Sequence, residues 1–397
     1  MSRSIFSSII ATERNWANPA WLCVLAGLLL SIIGIYAIDI GERTIAPATA
    51  ADLAPVAAKQ LIFLFVGLLA SGLLALPHER VIRFLAWPAM GVSIALLIFL
   101  LIPAVPSWIV TPRNGVRGWI DLGPIDLQPG EFAKIAFVLA AADYLRYRRT
   151  HREFLGLLPP ALIAGVPIGL IFLQPDLGTA MLFVPSVFAM LLVAGARLKH
   201  LAIVVLAATL AAPMAYPFLK PYQQQRILGL IAQVRGDQHA RDDMNYQAYT
   251  AQMLIGAGGT TGIPDAKSRA VIRFARLPER HNDMIFAVVV NRFGLLGGLA
   301  VAGLYMLWLA GALLSAALCK DPFGRLTIVG LSAFIAAQAA INIGMNVGVL
   351  PIVGLTLPFV SYGGSSMLVV WIMTGLTLSI ALRPPPRMAR PSFEFRD

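Results

Sequence analysis

The chain has 397 residues, 58 % of them hydrophobic and only 13 % charged, with a formal net charge of +11. That much apolar surface excludes a soluble domain of this length, and basic residues scattered through short loops exclude a nucleic-acid-binding face with interleaved aromatics. Cys23 and Cys319 are isolated, so there is neither a disulfide framework nor a cysteine metal site.

A hydrocarbon core of about 30 Å takes about 20 mostly apolar residues per helix. On that measure ten spans are predicted, near 20–38, 56–76, 81–102, 130–146, 157–173, 179–195, 200–217, 284–317, 325–349 and 364–382. The expected fold is an all-α integral membrane protein, with ten transmembrane helices and a large extracytoplasmic loop between helices 7 and 8. Residues 1–397 form one membrane domain. Its N-terminus (1–19) and tail (383–397) are expected in the cytoplasm, and the loop at 218–283 outside. The first span follows Arg3 and Arg14 and precedes "ATA", as a signal peptide would. Its apolar core is too long for one, however, and more spans follow. The span at 284–317 is too long for one crossing and is expected to tilt or to run on into the cytoplasm.

Orientation follows from loop charge. Lys and Arg collect at the N-terminus, at Arg80 and Arg83, in "RYRRTHR", "ARLKH" and "KDPFGR", and in the tail. The short loops on the other side hold Arg43, Arg113 and Arg117.

The first outer segment, 107–135, is broken by Asn-Gly, Gly-Pro and Pro-Gly turns. It is expected at the interface, where Trp108 and Trp119 suit the depth. Glu131 and Lys134 follow, three apart and so on one helical face. They are either a self-cancelling ion pair or the lining of a polar cavity, with the lysine available to a phosphate; the spacing does not choose. Asp176, after Pro175 and before an apolar run, reads as a helix cap or first-turn acid.

The long loop at 218–282 opens with "KPYQQQRI" and continues through a short interfacial helix. There Tyr246, Tyr249, Met253 and Leu254 are expected to form one apolar face. "GAGGTTG" at 256–262 resembles a phosphate loop only superficially, because no lysine follows and no strand precedes it; a turn is the better reading. The loop closes on "LPERHNDMIF", which sets Asp283 at the lip of an apolar run, as a helix cap or as a catalytic carboxylate. Arg292, nine residues further on, must find a carboxylate, a carbonyl or water. No metal-ligand spacing and no nucleophile elbow appears.

At these residues the chain resembles the SEDS family (shape, elongation, division and sporulation) of membrane proteins. The motifs are "NGVRGWIDLG" at 114–123, "QPGEFAKI" at 128–135, "QPDLGTA" at 174–180, "YQQQRI" at 222–227, "LPERHNDMIF" at 277–286 and "NIGMNVGVLPIVGLTLPFVSYGGSS" at 342–366. "LPERH", "QPDLGTA" and the short N-terminus read closer to the RodA branch than to FtsW. The resemblance implies a peptidoglycan glycosyltransferase of the inner membrane that polymerises lipid II. Undecaprenyl diphosphate would leave and an inverted β-1,4 link would form. It implies Asp283 as the catalytic residue. It implies substrate contacts at Trp119, Glu131, Lys134, Asp176, Arg226 and Ser361, with Lys134 and Arg226 as candidates to meet the diphosphate. It also implies a class B penicillin-binding protein as transpeptidase partner, among other membrane proteins of an elongation complex. No cofactor is fixed, and a divalent cation is compatible with the pattern. The chain departs from the family at Gly118, at Gly130, and at Asn291 and Arg292, where two acids are usual. Rival readings are a lipid II flippase, which needs no base, and an ion-coupled transporter, which would show midplane acids and inverted repeats.

Overall fold

Backbone in hydrocarbon has no water to bond, so each long apolar run closes its amides on itself as a helix. The structure, a computed structural model, describes residues 17–42, 53–106, 108–112, 116–123, 126–148, 150–218, 224, 228 and 246–383. Its α-helices are α1 (Trp21–Glu42), α2 (Pro55–Leu74), α3 (Glu79–Leu101), α4 (Pro129–Leu145), α5 (Leu158–Leu173), α6 (Leu177–Ala194), α7 (Leu198–Ala215), α8 (Tyr246–Gly258), α9 (Asp265–Ala275), α10 (Ile285–Leu318), α11 (Pro322–Asn346) and α12 (Gly364–Ala381). Proline opens α2, α4, α5 and α11 in the first turn, where its missing N–H costs nothing. A short hairpin of two-residue strands pairs β1 (Ile120–Asp121) antiparallel with β2 (Asp126–Leu127), Ile120 facing Leu127.

Among the described residues, 8 helices are long and apolar enough to cross a bilayer: α1, α2, α3, α5, α6, α10, α11 and α12. The other two expected spans coincide with α4 and α7. The first carries Glu131, Lys134 and Asp143, and the second is apolar over Leu198–Ala211. Helix α12 is central, 83 % of its apolar stretch being buried against 28 % for α2 and α3 at the periphery. It packs on α2, α11, α4, α10 and α1, while α11 packs on α6, α10 and α4. Helix α7 stands at the edge, exposed along nearly its whole length.

The 284–317 span is not one continuous rod. Gly294 takes φ 70° and ψ −169° inside α10 and breaks it. The turn at 256–262 enters the gap: Leu295 N donates to Gly259 O (2.9 Å), Leu296 N to Thr260 O (3.1 Å) and Ile263 N to Asn291 O (3.3 Å). The backbone groups freed by the break are thus re-bonded inside the protein. "GAGGTTG" is therefore a structural plug. A Cβ at Gly262 (φ 82°) would stand 2.1 Å from Arg292 O, so the approach admits only glycine.

The expected apolar face of α8 also divides. Leu254 is fully buried with Ala251 against α10, whereas Tyr246, Tyr249 and Met253 are exposed. Leu254 and Ala251 are three apart and share one face; the other three lie round the helix from it.

Candidate active site

The loop that ends at Asp283 is held from three sides. From α1, Glu42 Oε1 accepts from Arg280 Nε (2.9 Å) and meets His281 Nδ1 (3.0 Å). From the segment before α12, Ser361 Oγ donates to Asn282 O (2.6 Å) and Tyr362 N donates to His281 O (2.8 Å). From α11, Asn342 Nδ2 and Asn346 Nδ2 both donate to Asp283 O (2.9 Å each). The turn so held includes Glu279 at φ 51°, a conformation costly for a non-glycine residue. Over-determination of this kind fixes where the next carboxylate stands.

Asp283 itself is 7 % exposed. It is not the N-cap of α10: Met284 occupies that position and makes no side-chain cap bond. The capping bond comes from another helix, because Ala287 N donates to Asn346 Oδ1 (3.2 Å). Asn346 therefore holds the Asp283 peptide with its amide nitrogen and caps α10 with its amide oxygen.

Gln338, Asn342 and Asn346 lie four apart on α11 and make one polar stripe along a buried helix. Its other end meets the second charged group. Lys134 Nζ donates to Glu131 Oε1 (2.8 Å) and to Gln338 Oε1 (3.0 Å), and Gln338 Nε2 donates to Thr356 O (2.9 Å). Glu131 and Lys134 are 4 % and 1 % exposed, so they face the interior rather than lipid. The ion-pair reading thus holds, while an ammonium keeps a third hydrogen for an oxyanion. Eight residues of α11 separate the two attachment points, about 12 Å along the axis at 1.5 Å per residue.

Above this stripe sits the hairpin. Gln128 N donates to Ser365 Oγ (3.0 Å), and Ser365 Oγ donates to Asp126 O (2.6 Å), which moors the hairpin to the start of α12. Trp119 precedes β1 and is half-buried, while Trp108 is exposed. Asp176 caps α6 through Thr179 N (3.0 Å), within electrostatic reach of Glu131 and Lys134. Ser361 is buried, and its hydroxyl serves Asn282 O and Leu357 N (2.7 Å), so it positions the loop. Arg226 lies outside the described residues.

The departures at 291 and 292 have partners in α8, α9 and the turn between them. Asn291 accepts from Ser268 Oγ (2.8 Å) and donates to Leu254 O (2.9 Å), and Arg292 reaches Ile263 O (3.2 Å) and Asp265 (3.5 Å). Asp265 also accepts from Arg269 Nε (2.9 Å), which holds Asp39 as well. Burial raises the Asp265 carboxyl, but the bond and charge of Arg269, with Tyr36 and Arg292, outweigh it and hold it below the usual carboxylate range. Here Arg292 ties α10 to α9 where a pair of acids would need other partners.

The arrangement offers a rigidly placed carboxylate at one end of the bundle and a buried ammonium farther along the same stripe. Among the described residues no three His, Cys, Asp or Glu side chains gather as a metal cluster. Gln338, Asn342 and Asn346 are functional positions that no motif in the sequence singles out by role. The signal was there, in amides every fourth residue of an otherwise apolar run.

Residues 20–384 match the family model for FtsW, RodA and SpoVE, described as "Cell cycle protein". The chain is 30 % identical to the probable peptidoglycan glycosyltransferase FtsW of Coxiella burnetii, over 92 % of this chain and 97 % of that one. It is equally identical, with the same coverage, to the stage V sporulation protein E of Bacillus subtilis. Among solved structures, a chain from a peptidoglycan synthase complex that coordinates polymerization and crosslinking superposes with a TM-score of 0.75. Its identity is 31 %, and 91 % of this chain and 97 % of that chain are covered. The rod shape determining protein RodA of Thermus thermophilus gives a TM-score of 0.65 at 28 % identity, covering 92 % of this chain and 97 % of that one.

Proposed function

The chain belongs to the FtsW/RodA/SpoVE (SEDS) family, and from that premise we propose that it extends glycan strands from lipid II with Asp283 as the general base. It is a multi-pass membrane protein and a peptidoglycan glycosyltransferase. In the proposed reaction the 4-hydroxyl of an N-acetylglucosamine gives its proton to the Asp283 carboxylate. The hydroxyl oxygen bonds the anomeric carbon of the N-acetylmuramyl donor from the face opposite the leaving group. The anomeric C–O bond breaks, its electron pair leaves with undecaprenyl diphosphate, and a β-1,4 link results with inversion.

The observation that carries this reading is the clamp on Asp283. Two asparagines and a serine hold its loop, and the capping of α10 is delegated to Asn346. A carboxylate held this way needs no structural role at the helix end, and a base must be within hydrogen-bond reach of its proton. Lys134 supports the departure of the diphosphate by its charge. On our reading Asp283 faces outward and both termini are cytoplasmic, in the inner membrane. Crosslinking belongs to a separate transpeptidase, a class B penicillin-binding protein, within an elongation complex. The motifs at 174–180 and 277–281 favour elongation; the FtsW names of the sequence relatives favour division as the second reading, and complementation of cells depleted of either polymerase separates them.

Asp283→Asn tests the base. Asparagine caps about as well as aspartate, so folding and partner binding stay normal while glycan synthesis falls by about a hundredfold or more, the size of a general-base contribution. Substantial polymer from the well-folded variant refutes the assignment. A wild-type protein as inert as the variant, with its partner present, favours the flippase reading.

A further inference from the structure

The opposite end of the bundle carries a second built feature. Helices α4 and α6 end there and α11 begins there, with Pro322 at one end of α11 and Asn346 at the other. The 25 residues of α11 set the two ends about 37 Å apart. Between the three helix ends lies a cavity of about 290 Å³, lined by Arg146, Arg148, Arg152 and Arg325 and walled by the apolar Val193 and Leu326.

The arginines are anchored but not neutralised as a set. Arg146 pairs with Asp143 at 3.3 Å. Arg148 stacks on the Tyr144 ring at 4.4 Å, and Arg325 Nη2 donates to Cys319 O at 3.0 Å. Among the described residues, no carboxylate lies within ion-pair distance of Arg148, Arg152 or Arg325. Four guanidinium groups with one carboxylate among them leave an excess of positive charge around one concave space, and that repulsion costs free energy until an anion enters. Guanidinium forks match the paired oxygens of a phosphate. Apolar walls on one side suit the glycerol and first methylenes of a lipid, as does the adjacent Tyr147, 72 % exposed and of the amphipathic aromatic type that collects at membrane interfaces.

We propose that this cavity binds the phosphodiester headgroup of an anionic phospholipid from the leaflet opposite Asp283. The site is separate from the clamp and the Glu131–Lys134 pair, and it stands whether or not Asp283 is the base. Occupancy ties the ends of α4, α6 and α11 together, and so steadies the helices that carry Lys134 and Asn346.

The test uses the full chain in neutral detergent, titrated with dioctanoyl phosphatidylglycerol, with dioctanoyl phosphatidylcholine and with inorganic phosphate. Binding and thermal unfolding are both read. Phosphatidylglycerol is expected to bind saturably and raise the unfolding midpoint, to weaken as salt is added, and to be matched by neither other probe. Arg148→Gln with Arg152→Gln is expected to weaken phosphatidylglycerol binding by about tenfold or more, with unfolding in phosphatidylcholine unchanged; Arg148→Lys with Arg152→Lys keeps the charge but not the fork and is expected to bind between the wild type and the glutamine variant. Salt-independent binding by the wild type overturns the proposal without recourse to any variant. So does equal saturation by phosphatidylcholine, displacement of the lipid by an equal concentration of inorganic phosphate, or unaltered affinity in the glutamine variant.

Discussion

Asn346→Ala is the perturbation that tests the clamp most directly. It removes the donor to Asp283 O, the acceptor for Ala287 N and the bond to Asn342 O (2.9 Å), all buried. Losing the cap costs about 1 kcal/mol, and one buried hydrogen bond about another. Asn342 still serves Asp283 O, so the peptide is not orphaned. The turn is therefore loosened by about 2 kcal/mol, which raises the share of misplaced carboxylate by about thirtyfold. A displacement of about 1 Å at a reacting group can cost about a hundredfold in rate. The expected result is a fall in kcat of up to about thirtyfold, with KM for lipid II little changed, because Asn346 touches the loop and not the substrate. Asn346→Asp keeps the cap acceptor but loses the donor and sets a second carboxylate beside Asp283, so it is expected to be no better. Steady-state glycan synthesis by the purified protein with its partner reads both constants. Wild-type kcat in a folded Asn346→Ala protein refutes the positioning argument.

Three further outcomes follow, two from the same geometry and one from the loop charges. Lys134→Met strands Glu131 in the interior, which costs about 3–5 kcal/mol and abolishes synthesis; adding Glu131→Gln restores thermal stability but not activity, and restored activity would reduce the pair to scaffold. Gly262→Ala forces a side chain against Arg292 O at positive φ, and the resulting loss of the α10 plug is expected to lower the unfolding midpoint by several degrees, about 2 kcal/mol or more; an unchanged midpoint contradicts the plug. A cysteine introduced at position 240, outside the described residues, is expected to react with a membrane-impermeant reagent in intact cells, and reaction only after lysis inverts the orientation.

The class of protein, the positions of its apolar helices and the identity of its candidate base were legible in the sequence. Hydropathy is a local, additive property: about 20 apolar residues become a helix in lipid whatever surrounds them. The motif around Asp283 was readable as a motif for the same reason, being contiguous. Tertiary structure decided what contiguity cannot carry. It broke α10 at Gly294, because a glycine at positive φ is tolerated in a membrane helix only where another segment supplies the missing bonds, and the turn at 256–262 supplies them. It divided Leu254 from Tyr246, Tyr249 and Met253, because α10 covers only one side of α8. It sent the Ser361 hydroxyl to a backbone carbonyl and gave Arg292 an aspartate on α9. Above all it set Asn342 and Asn346 against a peptide about 60 residues away in sequence. Hydrogen bonds act only over about 3 Å, so a partner that distant along the chain exists only once the helices have packed.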